Sequence, residues 1–274
     1  MGPGLTNQER TFPHRLTTPP ITELALPPGH RIYFASDFHL GAPNPASSRA
    51  REQAVVAWLD AARADAAVIF LVGDVFDFWF EYRHAIPKGF LRFQGKLAEL
   101  VDAGIRIEWY VGNHDLWLAD YFTDELGIVI HRQPQPYLIA GKRFLVGHGD
   151  GLGPGDYTYK RLKRVFESPV AQTLFRWLHP DWGIGLALRW SRSSRIGNDE
   201  RGEVFLGEDR EWLVQYCHEM ERQQHHDFYV FGHRHLALDL PIGPRSRYIN
   251  LGEWVTAKTY AVFDGETVKL MDNE

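Results

Sequence analysis

The sequence predicts an α/β chain that carries its chemistry on strand tips, and three observations lead there. Five short apolar runs, at 31–35, 68–72, 105–111, 143–146 and 227–231, are rich in β-branched and aromatic residues and read as buried strands. Segments with helical spacing fall between several of them, at about 48–64, 87–102 and 202–223. Each of the five runs is followed within a few residues by Asp, Asn or His, at the strand edge where open α/β sheets bind ligands.

Residues 1 to about 30 are rich in Pro and Thr, lack the apolar core of a signal peptide, and read as an N-terminal tail. The first strand delivers Ser36-Asp37-Phe38-His39, in which Asp37 and His39 are two apart and share a side if extended. The Ala-rich helix that follows turns Val55, Val56, Trp58 and Leu59 toward the sheet. The second run stops at Gly73, where the backbone can turn without a Cβ in the way, and Asp74 comes next. Phe76-Asp77-Phe78-Trp79-Phe80-Glu81-Tyr82 then supplies aromatics that either pack the core or wall a substrate pocket. The third run ends in Gly112-Asn113-His114-Asp115: Asn113 offers a neutral amide oxygen, and His114 stands beside it without having to ligate. Strands are also expected at 128–130 and 135–140, the latter joined by a Gly141-Lys142 turn to the run that ends in Gly147-His148-Gly149-Asp150. His148 reads as a metal ligand, a buried hydrogen-bonded histidine being the alternative.

From 151 to about 196 the character changes to helical spacing with little strand content. Eight basic side chains stand there against three acidic ones, a net +5, so the remainder carries −10 of the total −5. The arginines and lysines interleave with Phe166, Leu174, Phe175, Trp177, Leu178, Trp182, Leu186 and Trp190, as in an interfacial amphipathic helix or a packed cap with a charged face. After a long helix at about 202–223, the last of the five runs ends in Gly232-His233-Arg234-His235, and the preceding His225-His226 pair reads as surface. Strands at 247–251, 260–263 and 267–271 close the chain, the last two as a hairpin around Asp264-Gly265.

Composition narrows the function. A net charge of −5 argues against nucleic acid as a partner. Cys217 is the one cysteine, which excludes an internal disulfide and fits a reducing cytoplasm. No run of 18 apolar residues is present. Asp37, His39, Asp74, Asn113, His148, His233 and His235 give seven O/N donors without sulfur. That set suits Mn, Fe, Zn or Co better than Mg or Ca, and it exceeds the needs of one ion. Asp74 shared between two ions is the economical arrangement. Paired divalent cations acidify a water and clamp phosphoryl oxygens, and His114 is placed to bond the phosphoryl group or protonate the leaving oxygen.

Asp-x-His, Gly-Asp-x-x-Asp, Gly-Asn-His-Asp, Gly-His-Gly-Asp and Gly-His-x-His, in this order, resemble the calcineurin-like metallophosphoesterase superfamily over about residues 31–263. The resemblance implies a four-layer αββα sandwich of two mixed β-sheets flanked by helices, a domain at 31–274 with 151–200 inserted as a helical cap. It implies that Asp37, His39, Asp74 and His235 hold one metal, and Asp74, Asn113, His148 and His233 the other. Tyr248-Ile249-Asn250-Leu251-Gly252 is similar to a late segment of the same superfamily. Gly-Asp-Val-Phe-Asp-Phe-Trp, the His-Gly-Asp motif and the cap resemble the UDP-2,3-diacylglucosamine hydrolases of lipid A biosynthesis. That implies release of UMP and 2,3-diacylglucosamine 1-phosphate, Mn as the usual metal, and Trp79, Asp156 and Tyr159 lining the substrate pocket. It further implies a cytoplasmic enzyme peripherally bound to the anionic inner membrane through residues 157–195. The chain keeps His114 where the best-known branch carries Arg. Another phosphoester as substrate, and a metal-free scaffold of the same fold, are the competing readings.

Overall fold

The apolar runs pair into two six-stranded sheets. A computed structural model describes residues 19–155, 157–199, 204–205 and 207–273, with 190 and 192–199 described by backbone alone. In chain order the first half comprises β1 (Thr22–Leu24), β2 (Arg31–Ala35), α1 (Pro45–Ala62), β3 (Ala66–Val72), α2 (Leu91–Asp102), β4 (Arg106–Tyr110) and α3 (Tyr121–Leu126). Then come β5 (Val129–His131), β6 (Gln135–Ile139), β7 (Lys142–Gly147), α4 (Tyr157–Phe166), α5 (Pro169–Arg176) and α6 (Pro180–Asp199). The chain finishes with α7 (Trp212–Gln223), β8 (Phe228–Phe231), β9 (Ala237–Gly243), β10 (Ser246–Leu251), β11 (Thr259–Phe263) and β12 (Val268–Asp272).

One sheet has the order β12-β11-β2-β3-β4-β5, with β2 to β5 parallel. The other runs β1-β6-β7-β8-β10-β9, with β7, β8 and β10 parallel. Both are mixed, because β11 and β9 join antiparallel. Strands buried on both faces must be apolar at every position, which is why β2 and β3 read as unbroken runs. Ile32, Phe34, Val68, Phe70 and Val72 face the second sheet and meet Phe144, Val146, Phe228, Val230 and Ile249. The Phe34 ring stacks on Phe70 at 4.8 Å and on Phe144 across the sheets at 6.0 Å. Tyr33, Ala35, Ile69 and Leu71 turn the other way, against α1, α2 and α3. α7 covers the far face of the second sheet with Leu213, Val214, Cys217 and Met220. The layers are helix, sheet, sheet, helix.

α1 begins at Asn44, whose Oδ1 accepts the N–H groups of Ala46 and Ser47 at 3.0 Å, with Pro45 in the first turn. Its buried stripe is Arg51, Val55, Trp58, Leu59 and Ala62, joined by Glu52.

Several expectations need correction. The segment to residue 30 is not all tail: β1 lies within it, pairs with β6 in parallel and buries Leu24, while residues 1–18 lie outside the described residues. The helix expected from 202 starts only at Trp212, because Glu211 before it is extended. β9 was not anticipated; it is an edge strand with Pro241 inside it and mostly exposed alternate residues, a weak apolar pattern. His226 is buried rather than at the surface, beside Tyr229 and Glu221.

Candidate active site

The tips of β2, β3 and β4 from one sheet and of β7 and β8 from the other meet at one edge of the sandwich. Backbone bonds join them: Asp37 N–H donates to Gly73 O at 3.0 Å, and Gly232 N–H to His148 O at 3.0 Å. Across the sheets, the His233 N–H donates to Asp37 Oδ2 at 3.0 Å. The glycines explain themselves by contact. A Cβ on Gly73 would lie 2.4 Å from His148 Nδ1, and one on Gly112 would lie 2.1 Å from Asp74 Oδ1.

Five of the seven candidate ligands, Asp37, His39, Asp74, His233 and His235, have φ between 43° and 68°, the left-handed region that residues with a Cβ rarely adopt. Such backbone persists where surroundings over-determine it, and it clusters at functional sites. The bracing here is visible. Asp115 Oδ2 accepts the Val75 N–H at 2.9 Å and its Oδ1 accepts the Gly112 N–H at 2.7 Å. Asn250, buried on β10, donates to Gly232 O at 2.6 Å and so fixes the residue before His233.

The side chains converge in two groups: Asp37, His39 and His235 in one, and Asp74, His148 and His233 in the other. His39 Nε2 is 3.1 Å from His235 Nε2, which is 3.2 Å from Asp37 Oδ1. His148 Nδ1 donates to Val72 O at 2.8 Å, leaving Nε2 3.4 Å from Asp74 Oδ2 and 3.3 Å from Asn113 Oδ1. Donor atoms bound to one transition metal at ~2.0–2.2 Å sit roughly 3 Å apart, so both groups fit a cation. All seven residues named as ligands are therefore brought together. A third group, His39, Asp77 and His114, adjoins them. His114 Nδ1 lies 3.2 Å from Asp77 O and 3.1 Å from Ser191 Oγ of α6, so the helical segment reaches over the cup.

Electrostatics in the metal-free chain are polarised. Burial alone would raise the Asp74 carboxyl, yet His148, His114 and His39 outweigh it and hold it well below the usual carboxylate range. Burial disfavours a charged His148, but the Asp74 carboxylate prevails and pushes it up to about 10. His233 is pushed down to about 4 by burial and by its neighbour His148. Burial and the Asp74 charge raise Asp115 to about 7.

The three residues assigned to the substrate pocket fare differently. Trp79 is fully buried: its ring stacks on Phe76 at 4.4 Å and its Nε1 donates to Glu81 at 3.0 Å. It belongs to the core and cannot wall a pocket. Asp156 lies outside the described residues. Tyr159 donates its hydroxyl to Asp150 at 2.5 Å, where Lys163 also pairs at 2.7 Å, tying α4 to the loop after β7. The aromatic floor under the helical segment is instead Phe80 and Trp117, whose rings lie 4.7 and 4.6 Å from Phe175 of α5. Phe80 belongs to the aromatic run that the sequence offers as core or pocket wall, whereas Trp117 was passed over in the sequence.

Residues 30–237 match the calcineurin-like phosphoesterase family. A protein of Porphyromonas gingivalis named UDP-2,3-diacylglucosamine hydrolase is 40% identical over 256 residues, covering 89% of this chain and 98% of that protein. Proteins of the same name from Tolumonas auensis and Pseudomonas aeruginosa are 24% and 27% identical, covering 87% and 81% of this chain and 95% and 90% of theirs.

Proposed function

The chain belongs to the calcineurin-like phosphoesterase family of metal-dependent hydrolases, and on that premise we propose that it cleaves the diphosphate of UDP-2,3-diacylglucosamine. The products are UMP and 2,3-diacylglucosamine 1-phosphate, a step of lipid A biosynthesis. The observation that carries the reading is a single oxygen: Asp74 Oδ2 faces His148 Nε2 at 3.4 Å and His39 Nε2 at 3.9 Å, as a carboxylate shared by two cations would. Asp37, His39, Asp74 and His235 would hold one cation, and Asp74, Asn113, His148 and His233 the other. Bound there, divalent ions supply Lewis-acid charge for the diphosphate oxygens and acidify a water. The sulfur-free O/N set is compatible with Mn, as it is with Fe, Zn or Co.

The remaining work falls to the chain's own side chains. Asp77 O and Ser191 Oγ occupy His114 Nδ1, which leaves Nε2 to bond a phosphoryl oxygen or protonate the departing one. The helical segment at 157–199 is a cap over the cup, and it docks peripherally on the anionic cytoplasmic face of the inner membrane. In support, Trp177 is 85% exposed and Trp182 77%, alongside exposed Val170, Leu174 and Leu186. Arg161, Arg164, Arg176 and Arg189 are exposed on the same segment. No described helix is long and apolar enough to cross a membrane.

The test is UMP release from UDP-2,3-diacylglucosamine by the Mn-loaded protein, abolished by chelator and restored by Mn. Turnover of bis(p-nitrophenyl) phosphate with no UMP from the lipid would overturn the substrate while leaving the reaction class.

A further inference from the structure

We infer that Arg51 is a positioning residue that shapes the Asp37–His39 loop for its cation. This rests on the two-cation reading of the site and is independent of the substrate. Arg51 lies on the buried stripe of α1, 6% exposed, at a position where helix packing calls for an apolar residue. Its guanidinium reaches the metal loop from behind. Nη1 donates to Phe38 O at 2.9 Å and to His39 O at 2.8 Å, and Nη2 donates to Ala42 O at 3.1 Å. These carbonyls belong to the segment in which Asp37 has φ 56° and His39 φ 43°.

Two N–H groups of the same segment are taken by the β3 tip, and a third by α1 itself. His39 N–H donates to Asp74 O and Leu40 N–H to Val75 O, both at 2.9 Å, and the Gly41 N–H donates to Ser48 Oγ at 2.7 Å. The loop is thus held between the β3 tip, which accepts two of its N–H groups, and α1, which brings the Arg51 guanidinium to three of its carbonyls and Ser48 to the Gly41 N–H. A planar fork with fixed donors matches several carbonyls at once, a task an ammonium meets less well. Without it, three buried carbonyls lose a charged donor, and the His39 ring is no longer held where it meets His235. Outer partners of metal ligands typically contribute roughly 10–100-fold to affinity.

Glu52, the next residue and equally buried, supplies the control. Its Oε1 accepts the N–H groups of Arg92 and Phe93 at 2.9 and 3.2 Å, capping α2 rather than bonding the Asp37–His39 loop. The experiment titrates Mn(II) alone into the full-length metal-free protein by calorimetry, alongside the melting temperature of the metal-free chain, for wild type, Arg51→Met, Arg51→Lys and Glu52→Gln. Wild type is expected to bind two equivalents. Arg51→Met should weaken one equivalent by about 10–100-fold, and Arg51→Lys should fall between the two. Glu52→Gln should lower the melting temperature with both affinities unchanged. Both Mn affinities within threefold of wild type in Arg51→Lys, and in Arg51→Met where it folds, would overturn the inference. So would an equal loss in Glu52→Gln. Wild type that binds no Mn would remove the two-cation reading itself, and the inference with it.

Discussion

Replacing Trp177 and Trp182 together by Glu should detach the protein from anionic vesicles while sparing its chemistry. The rings are 85% and 77% exposed, which for a side chain of up to about 250 Å² leaves about 200 Å² each in water. At about 25 cal/mol per Å², immersing half of both surfaces contributes about 5 kcal/mol, more than about a thousandfold in partitioning. The assay is co-sedimentation with phosphatidylglycerol vesicles at low and physiological salt, beside turnover of the soluble bis(p-nitrophenyl) phosphate. Vesicle binding should fall at least about 100-fold, allowing for partial immersion, with soluble turnover and melting temperature held. Binding by the double variant within tenfold of wild type would refute the cap as the membrane surface. Wild-type binding that is the same on neutral phosphatidylcholine would refute the part assigned to the arginines.

Asp74→Asn should remove the shared charge, reduce bound Mn from two equivalents to one or fewer, and lower phosphodiester turnover by at least about 10³-fold, read by elemental analysis and steady-state rates. Mn binding near pH 7.5 should release about one proton from His148, which the Asp74 charge keeps protonated up to about 10 against the effect of burial; calorimetry in buffers of different ionisation enthalpy measures it. Acid should destabilise the chain through His226, pushed down to about 4 chiefly by burial. The folded state binds the proton less readily than the unfolded one, so the stabilisation is full above about pH 6.5 and is lost as pH falls toward 4, about 3 kcal/mol in all. Urea midpoints at pH 7.5 and 4.5 should show the fall in wild type and a smaller one in His226→Gln.

The cup was legible in the sequence because each ligand follows a run that can only be a buried strand, and parallel strands put their C-terminal tips at one edge. Gly73 reads as a turn and has φ 86°, while the close approach of His148 to Gly73 and of Asp74 to Gly112 emerges only in the folded chain. What stayed hidden depended on which way a residue faced. Trp79 and Phe80 are neighbours in an aromatic run, and only the backbone path after β3 decides that Trp79 enters the core while Phe80 floors the cap. Arg51 and Glu52 carried a readable signal, charges on an apolar helical stripe, but their partners lie on another loop and another helix. β9 was illegible because an edge strand half open to water needs little apolar patterning.

Each candidate cation site draws on both sheets: Asp37 and His39 reach it from one layer and His235 from the other, and Asp74 from one layer with His148 and His233 from the other. The ions would then act as rivets through the seam of the sandwich, so that a chelator strips out fasteners along with the chemistry. Amide exchange along that rim, and nowhere near the opposite end of the strands, would quicken when they are withdrawn.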